Sequence, residues 1–224
     1  MTTDRATATA WLRGVAADVW DRPAGEHGFS RTANSSTYVR KVDDGGRQRV
    51  HLDLHVRPPY APREFHLSLR CSIAFPEMAR VAAVMLADIF PGFGMSGTVD
   101  VEPFDLIDPS SKMLFFATNA ELQALAATVE QYLTGGAFPF LDERVSIVEL
   151  TAAKRRRWQE ADIEPGGIGH FPVLIAAGQL ATGDADGATE TLKAAYPPAT
   201  RGHQRFAAAF AAVETTRQAD IHRR

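Results

Sequence analysis

In the stretch Arg47–Ile73, RQRVHLDLHVRPPYAPREFHLSLRCSI, two alternating runs flank the loop Arg57-Pro58-Pro59-Tyr60-Ala61-Pro62-Arg63. In the first run Val50, Leu52, Leu54 and Val56 point one way and His51, Asp53 and His55 the other, because successive side chains of a strand leave opposite faces. In the second, Phe65, Leu67, Leu69 and Cys71 share a face, and His66, Ser68 and Arg70 share its reverse. The pattern predicts neighbouring antiparallel strands with one face on a core and one polar face. Upstream, Tyr38-Val39-Arg40-Lys41 leads into Asp43-Asp44-Gly45-Gly46, a hairpin turn signal that pairs residues 38–42 with 48–52. With the strand at 64–73 this makes a three-stranded meander.

Helical periodicity surrounds that sheet. Trp11, Leu12, Val15, Ala16 and Val19 predict a helix over 4–20, closed by Pro23, Gly25 and Gly28. Pro76 suits a first helical turn, followed by Met78, Val81, Ala82, Met85 and Ile89, with Pro91-Gly92 as the stop. Further strands are expected at 98–101 and 112–117. Thr118 or Asn119 then caps a long helix with Leu122, Leu125, Ala126, Val129 and Leu133 inward, terminated by Gly135-Gly136. A short helix from Phe138-Pro139-Phe140-Leu141 precedes one from Ser146 to Trp158. The expected fold class is α+β, an antiparallel meander sheet packed against amphipathic helices and followed by an all-helical C-terminal subdomain.

The division between the two is expected at 162–169, where Pro165-Gly166-Gly167 reads as a linker, giving domains 1–161 and 170–224. Beyond it the chain is rich in alanine. Phe171, Leu174, Ile175 and Gly178 form one stripe, Ala188, Leu192 and Ala195 a second, and Phe206, Ala209, Phe210 and Val213 mark a final helix. The pair resembles a single tetratricopeptide-type helical hairpin, with small residues where two helices approach closely. Such arrays need about three units to stand alone, so the tail is expected to pack on the first domain or on a second copy of the chain.

Composition narrows the function. The 224 residues are 45% hydrophobic and 23% charged, the profile of a globular chain with a sizeable core. A net charge of -3 offers no global attraction to nucleic acid or anionic membrane, and neither partner is expected. No stretch approaches the roughly 20 apolar residues of a membrane helix, and no signal-peptide core is present at the N-terminus, which places the expected chain in the cytoplasm. The single cysteine, Cys71, excludes an internal disulfide and a cysteine-based zinc site.

Motifs with a chemical meaning are few. Gly92-Phe93-Gly94-Met95-Ser96-Gly97-Thr98-Val99 matches GxGxxG, but a dinucleotide loop follows a strand and opens a helix, and here the order is reversed. Lys154-Arg155-Arg156-Arg157-Trp158 reads as the cationic end of a helix rather than a phosphate patch. No GxSxG elbow occurs. Glu102, Asp105 and Asp108 lack the spacing of an EF-hand loop. The candidate ligand- or partner-binding residues are therefore His51, Asp53, His55, His66 and Arg70 on the polar sheet face. His51 and His55 sit about 13 Å apart along one strand, too far to share an ion, so a metal would need Asp53 or His66 as well. No catalytic residue, resident metal or cofactor is expected.

Between Trp11 and Trp158 the order of elements resembles the bacterial family labelled domain of unknown function 4304. The resemblance lies in a leading helix closing in Glu26-His27-Gly28-Phe29, the Tyr38 strand, the runs HLDLHV and FHLSLRC, Phe116, the Asn119 helix and Phe138-Pro139-Phe140-Leu141. It implies a cytoplasmic bacterial α+β domain with no established activity, and an immunity-like role in binding another protein. The expected function is thus a protein-binding module, with a possible homo-oligomer through the C-terminal helices; the alternative is a small-molecule or metal-dependent enzyme using His51, Asp53, His55 and His66.

Overall fold

The computed structural model describes residues 4–62, 64–93, 97–161 and 164–221. Arg63, Gly94, Met95 and Ser96, and residues 162 and 163 of the expected linker, lie outside the described residues. Among the described residues five strands are formed: β1 (Thr37–Lys41), β2 (Arg47–Val56), β3 (Phe65–Ala74), β4 (Thr98–Pro103) and β5 (Leu114–Phe116). The helices are α1 (Arg5–Val15), α2 (Asp21–Glu26), α3 (Pro76–Met85), α4 (Phe104–Ile107), α5 (Asn119–Ala124), α6 (Ala126–Tyr132), α7 (Phe138–Asp142), α8 (Ile147–Glu160), α9 (Phe171–Ala181), α10 (Ala185–Ala195), α11 (Arg201–Arg205) and α12 (Ala207–Ile221). Two wider π turns, Ala16–Trp20 and Leu133–Ala137, join α1 to α2 and α6 to α7. The fold is α+β, with one antiparallel sheet in the order β1-β2-β3-β4 and β5 also paired to β3.

The chain forms two compact units. The first comprises Met1–Lys41, Arg47–Ile73 and Asp100–Asp142; the second comprises Val42–Gly46, Ala74–Val99 and Glu143–Arg224. They do not divide at 162–169, because α3 and α8, which the sequence reading gave to the first domain, pack with α9. The linker itself is held down: the Gly166 amide donates to Ala195 O at 2.7 Å, and the Gly202 amide to Gly166 O at 3.3 Å.

In the first unit the apolar face of the sheet supplies Tyr38, Val50, Leu52, Phe65, Leu67, Leu69 and Cys71 to the core, all buried. The β1–β2 hairpin has the register Tyr38↔Val50 and Lys41↔Arg47, and Asp44 and Gly45 adopt the positive φ values of 53° and 67° that the turn needs. Helices cover this face through specific polar ties as well as packing. Trp20 Nε1 donates to Ala126 O at 2.9 Å, and the fully buried Gln48 donates through Nε2 to Leu141 O at 2.7 Å. Asp21 accepts from Tyr38 Oη at 2.8 Å and from Arg31 Nε at 2.7 Å, fixing α2 against β1.

Four helix boundaries differ from the sequence expectation; one is α3, which ends at Met85, before Ile89 and the Pro91-Gly92 stop. Pro23 does not stop the first helix, since the π turn before α2 opens the i→i−4 ladder where Pro23 has no N–H to give. The helix after Thr118 breaks at Leu125 into α5 and α6. Gly135-Gly136 lies within the second π turn instead of ending the helix, and Gly136 is needed there because a Cβ would meet Phe104 Cζ at 2.7 Å. The capping of α5 is as the sequence suggests: Thr118 and Glu121 form a reciprocal capping box.

In the second unit α9 is buried over 172–180, with α3, α8 and α10 packed round it. The basic run of α8 is dispersed. Lys154 turns inward with its ammonium 4.9 Å from the centre of the Phe171 ring, Arg155 donates to Thr191 Oγ1 at 3.4 Å, and Arg156 pairs with Glu143 at 3.7 Å. No helix among the described residues is long and apolar enough to cross a membrane.

Candidate functional site

Strand alternation carries the candidate residues to one face, and the pairing of β2 with β3 decides which of them meet. His51 Nε2 lies 2.9 Å from Ser72 Oγ, Arg70 Nε donates to Asp53 Oδ2 at 3.0 Å, and His55 Nε2 lies 3.0 Å from Ser68 Oγ. Each step forward along β2 is matched by a step back along β3, the arithmetic of antiparallel strands. These contacts are rungs across the polar face, and they set a register that the sequence could not supply.

His66 lies one position further along β3, opposite Phe115 of β5. Its ring stacks on Phe115 at 5.1 Å and on His55 at 5.3 Å between centroids. Tyr60, from the loop between β2 and β3, places its hydroxyl 2.7 Å from His66 Nδ1 and its ring edge-on to both His66 and Phe115. Four rings therefore form one aromatic surface, with Tyr60 62% exposed. The stacked imidazoles direct their nitrogens to different hydroxyls, those of Ser68 and Tyr60, rather than toward a common ion. Among the described residues no group of three or more His, Cys, Asp or Glu is placed to hold a metal.

Beside these rings opens a cleft of about 540 Å³. Asp53, His55, His66 and Arg70 line it, so four of the five candidates converge; His51 does not reach it and stays between Ser72 and Thr37 Oγ1, the latter 3.3 Å away. The opposite wall comes from segments that strand periodicity does not flag: Phe104 of α4, Lys112 and Met113 before β5, and Tyr132 of α6. Tyr132 Oη accepts from the Lys112 amide at 2.8 Å, which fixes that wall. Of the acidic trio, Asp105 lines the cleft, Glu102 is buried, and Asp108 closes its own turn by accepting from the Ser110 amide at 3.0 Å.

The environment favours neutral imidazoles at two positions. Burial holds His66 below the usual histidine range, and the charge of His55 adds to it. Burial also lowers His51, with the nearby Arg70 guanidinium acting in the same direction and Asp53 against it. Arg70 donates to Asp53 through Nε and lines the cleft, where its planar, multi-donor group is one of the convergent polar groups.

No protein-family model matches this chain, and no curated protein or solved structure matches it either.

Proposed function

We propose that this chain is a binding protein whose site is the cleft beside the polar sheet face, and that it accepts a flat, partly apolar group with a hydrogen-bonding edge. One observation carries the reading: in about 540 Å³ the apolar Pro103, Phe104, Met113 and the ring of Tyr132 meet the polar Asp53, His55, His66 and Arg70. Pockets that hold small organic groups combine mostly apolar walls with a few convergent polar ones, in this range of volume. A heteroaromatic ring meets both demands, stacking on the His55 and His66 rings while its edge bonds Asp53 or Arg70. The test is a titration of the full chain with free nucleosides and other small heteroaromatics, read from the imidazole proton resonances of His55 and His66. Saturable shifts that disappear in Ser68→Phe, which fills the cleft, support the reading; absence of any shift at millimolar ligand refutes it.

A second reading keeps a protein partner. Met113, which lines the cleft, is 69% exposed, and Leu106, next in sequence to the cleft-lining Asp105, is 58% exposed; exposed apolar side chains at a polar rim favour docking. Under that reading Leu106→Lys and Met113→Lys abolish capture of the partner without shifting the unfolding midpoint. An immunity-like role belongs to this second reading. Self-association through 171–213 is a further proposal that light scattering of the full chain tests, although the apolar residues of α9 are already buried.

A further inference from the structure

The same alternation that places His51, Asp53 and His55 on the polar face extends it toward the β1–β2 turn, where it adds Arg47 and Arg49 on β2 and Lys41 on β1. Lys41 stands opposite Arg47 in the register and Val39 opposite Arg49. Lys41 and Arg47 are exposed and Arg49 is half-buried, and none of the three has an ion-pair partner among the described residues. With Arg70 they form a cationic strip that runs from the hairpin turn to the aromatic surface of His55, His66, Phe115 and Tyr60. The acids of this face are Asp53, engaged by Arg70, and Asp100, on the side of β4 opposite buried Val99, with exposed Asp43 and Asp44 in the turn between Lys41 and Arg47 and exposed Glu64 just before β3; Lys112 and Asp105 offset each other in the cleft. From Arg47 to His55 the strip spans about 26 Å, in steps of about 6.6 Å between residues of one face.

We infer that this sheet face binds single-stranded nucleic acid, the strip of Lys41, Arg47, Arg49 and Arg70 tracking phosphates and the ring cluster with its cleft receiving bases. The inference rests on the cleft reading above and names its ligand class. Single-strand binders join a cationic track to aromatic side chains on which bases stack, and both parts lie here on one sheet face. The net charge of -3 does not oppose this, since binding follows the local distribution of charge, and Lys41, Arg47 and Arg49 have no carboxylate within ion-pair distance among the described residues. A duplex is disfavoured because a base must leave its stack to meet the rings.

The test is fluorescence anisotropy of the full chain with labelled oligo(U) and oligo(dT) of about 12 nucleotides, across a salt series. The arms distinguish RNA from DNA, and binding of either supports the inference. With three to four phosphates neutralised, the slope of log K against log salt is expected at about -2 to -3, so affinity falls about 20- to 50-fold between about 50 and 200 mM. Arg47→Gln and Arg49→Gln each flatten that slope by about 0.7. Tyr60→Ala weakens binding by about 5-fold or more through lost stacking, whereas Arg80→Gln, an exposed α3 residue paired with Glu77, changes neither quantity. Saturable binding to neither strand at the lowest salt overturns the inference, as does binding indifferent to Arg47→Gln, Arg49→Gln and Tyr60→Ala. If nucleosides shift the His55 and His66 resonances but oligonucleotides bind no more tightly, the cleft reading stands and this inference falls. If neither acts, both fall.

Discussion

Adding one methyl group at Gly178 sets two effects of similar size against each other, and the structure says which prevails. Alanine in place of glycine within a helix is worth about 1 kcal/mol in propensity. At Gly178 of α9, however, the new Cβ would overlap Thr151 Oγ1 of α8 and stand 3.1 Å from Thr151 Cβ and 3.3 Å from its Cγ2. Thr151 cannot turn aside freely, because its hydroxyl is buried and donates to Ile147 O at 2.7 Å. Overpacking a closed interior costs about 1–3 kcal/mol, and a lost buried hydrogen bond adds about 1 kcal/mol. Gly178→Ala is thus expected to lower stability by about 1–3 kcal/mol net. In a Thr151→Ala background the hydroxyl and the γ-methyl are gone, only the 3.1 Å contact remains, and the same substitution is expected to be neutral or mildly stabilising. Urea unfolding of the four proteins, followed by circular dichroism, gives the coupling between the two sites, expected at about 1–3 kcal/mol. An equal loss in both backgrounds would refute the claim that close helix approach selects glycine there.

Three further outcomes follow from the geometry. Asp21→Asn leaves the Arg31 guanidinium, 3% exposed, without its anion; breaking a buried pair costs about 3–5 kcal/mol, and since Asp21 is 41% exposed the loss is set nearer about 2 kcal/mol, or a fall of about 4–8 °C in Tm by thermal scan. His51, His66 and His170 all have folded-state values below the ordinary histidine value, chiefly through burial, so their contribution to stability is intact above about pH 6.5 and is lost as pH falls from there toward the folded values; urea midpoints measured from pH 7.5 downward should therefore drop in the acid limb, and a flat profile would contradict the burial of these rings. Ser146→Ala removes the side chain that accepts from the Glu149 amide at 3.2 Å and caps α8, an expected loss of about 1 kcal/mol that Ser146→Asp restores.

The amino-acid order determined the local facts on its own. Period-two alternation set the faces of β2 and β3, Asp44-Gly45 the hairpin turn, Pro76 the start of α3, and the starts of α5 and α8 to within a residue, because each depends on neighbours within a few residues; the structure chose Thr118 over Asn119 as the cap of α5. The polar face was legible for the same reason, and so in principle was its extension to Lys41, Arg47 and Arg49, which obey the same alternation. The π turns were not legible, since Pro23 and Gly135-Gly136 break an ordinary helix, and only packing such as that of Phe104 on Gly136 favours the wider turn. Tertiary structure alone decided that His55 meets Ser68 and His66 while His51 turns to Ser72, and that Phe104, Lys112 and Tyr132 complete the cleft. It also grouped α3 and α8 with the C-terminal helices. Alternation says which way a side chain points but not what it faces; that partner is chosen by strand register and helix packing, which minimise free energy over residues far apart in the chain.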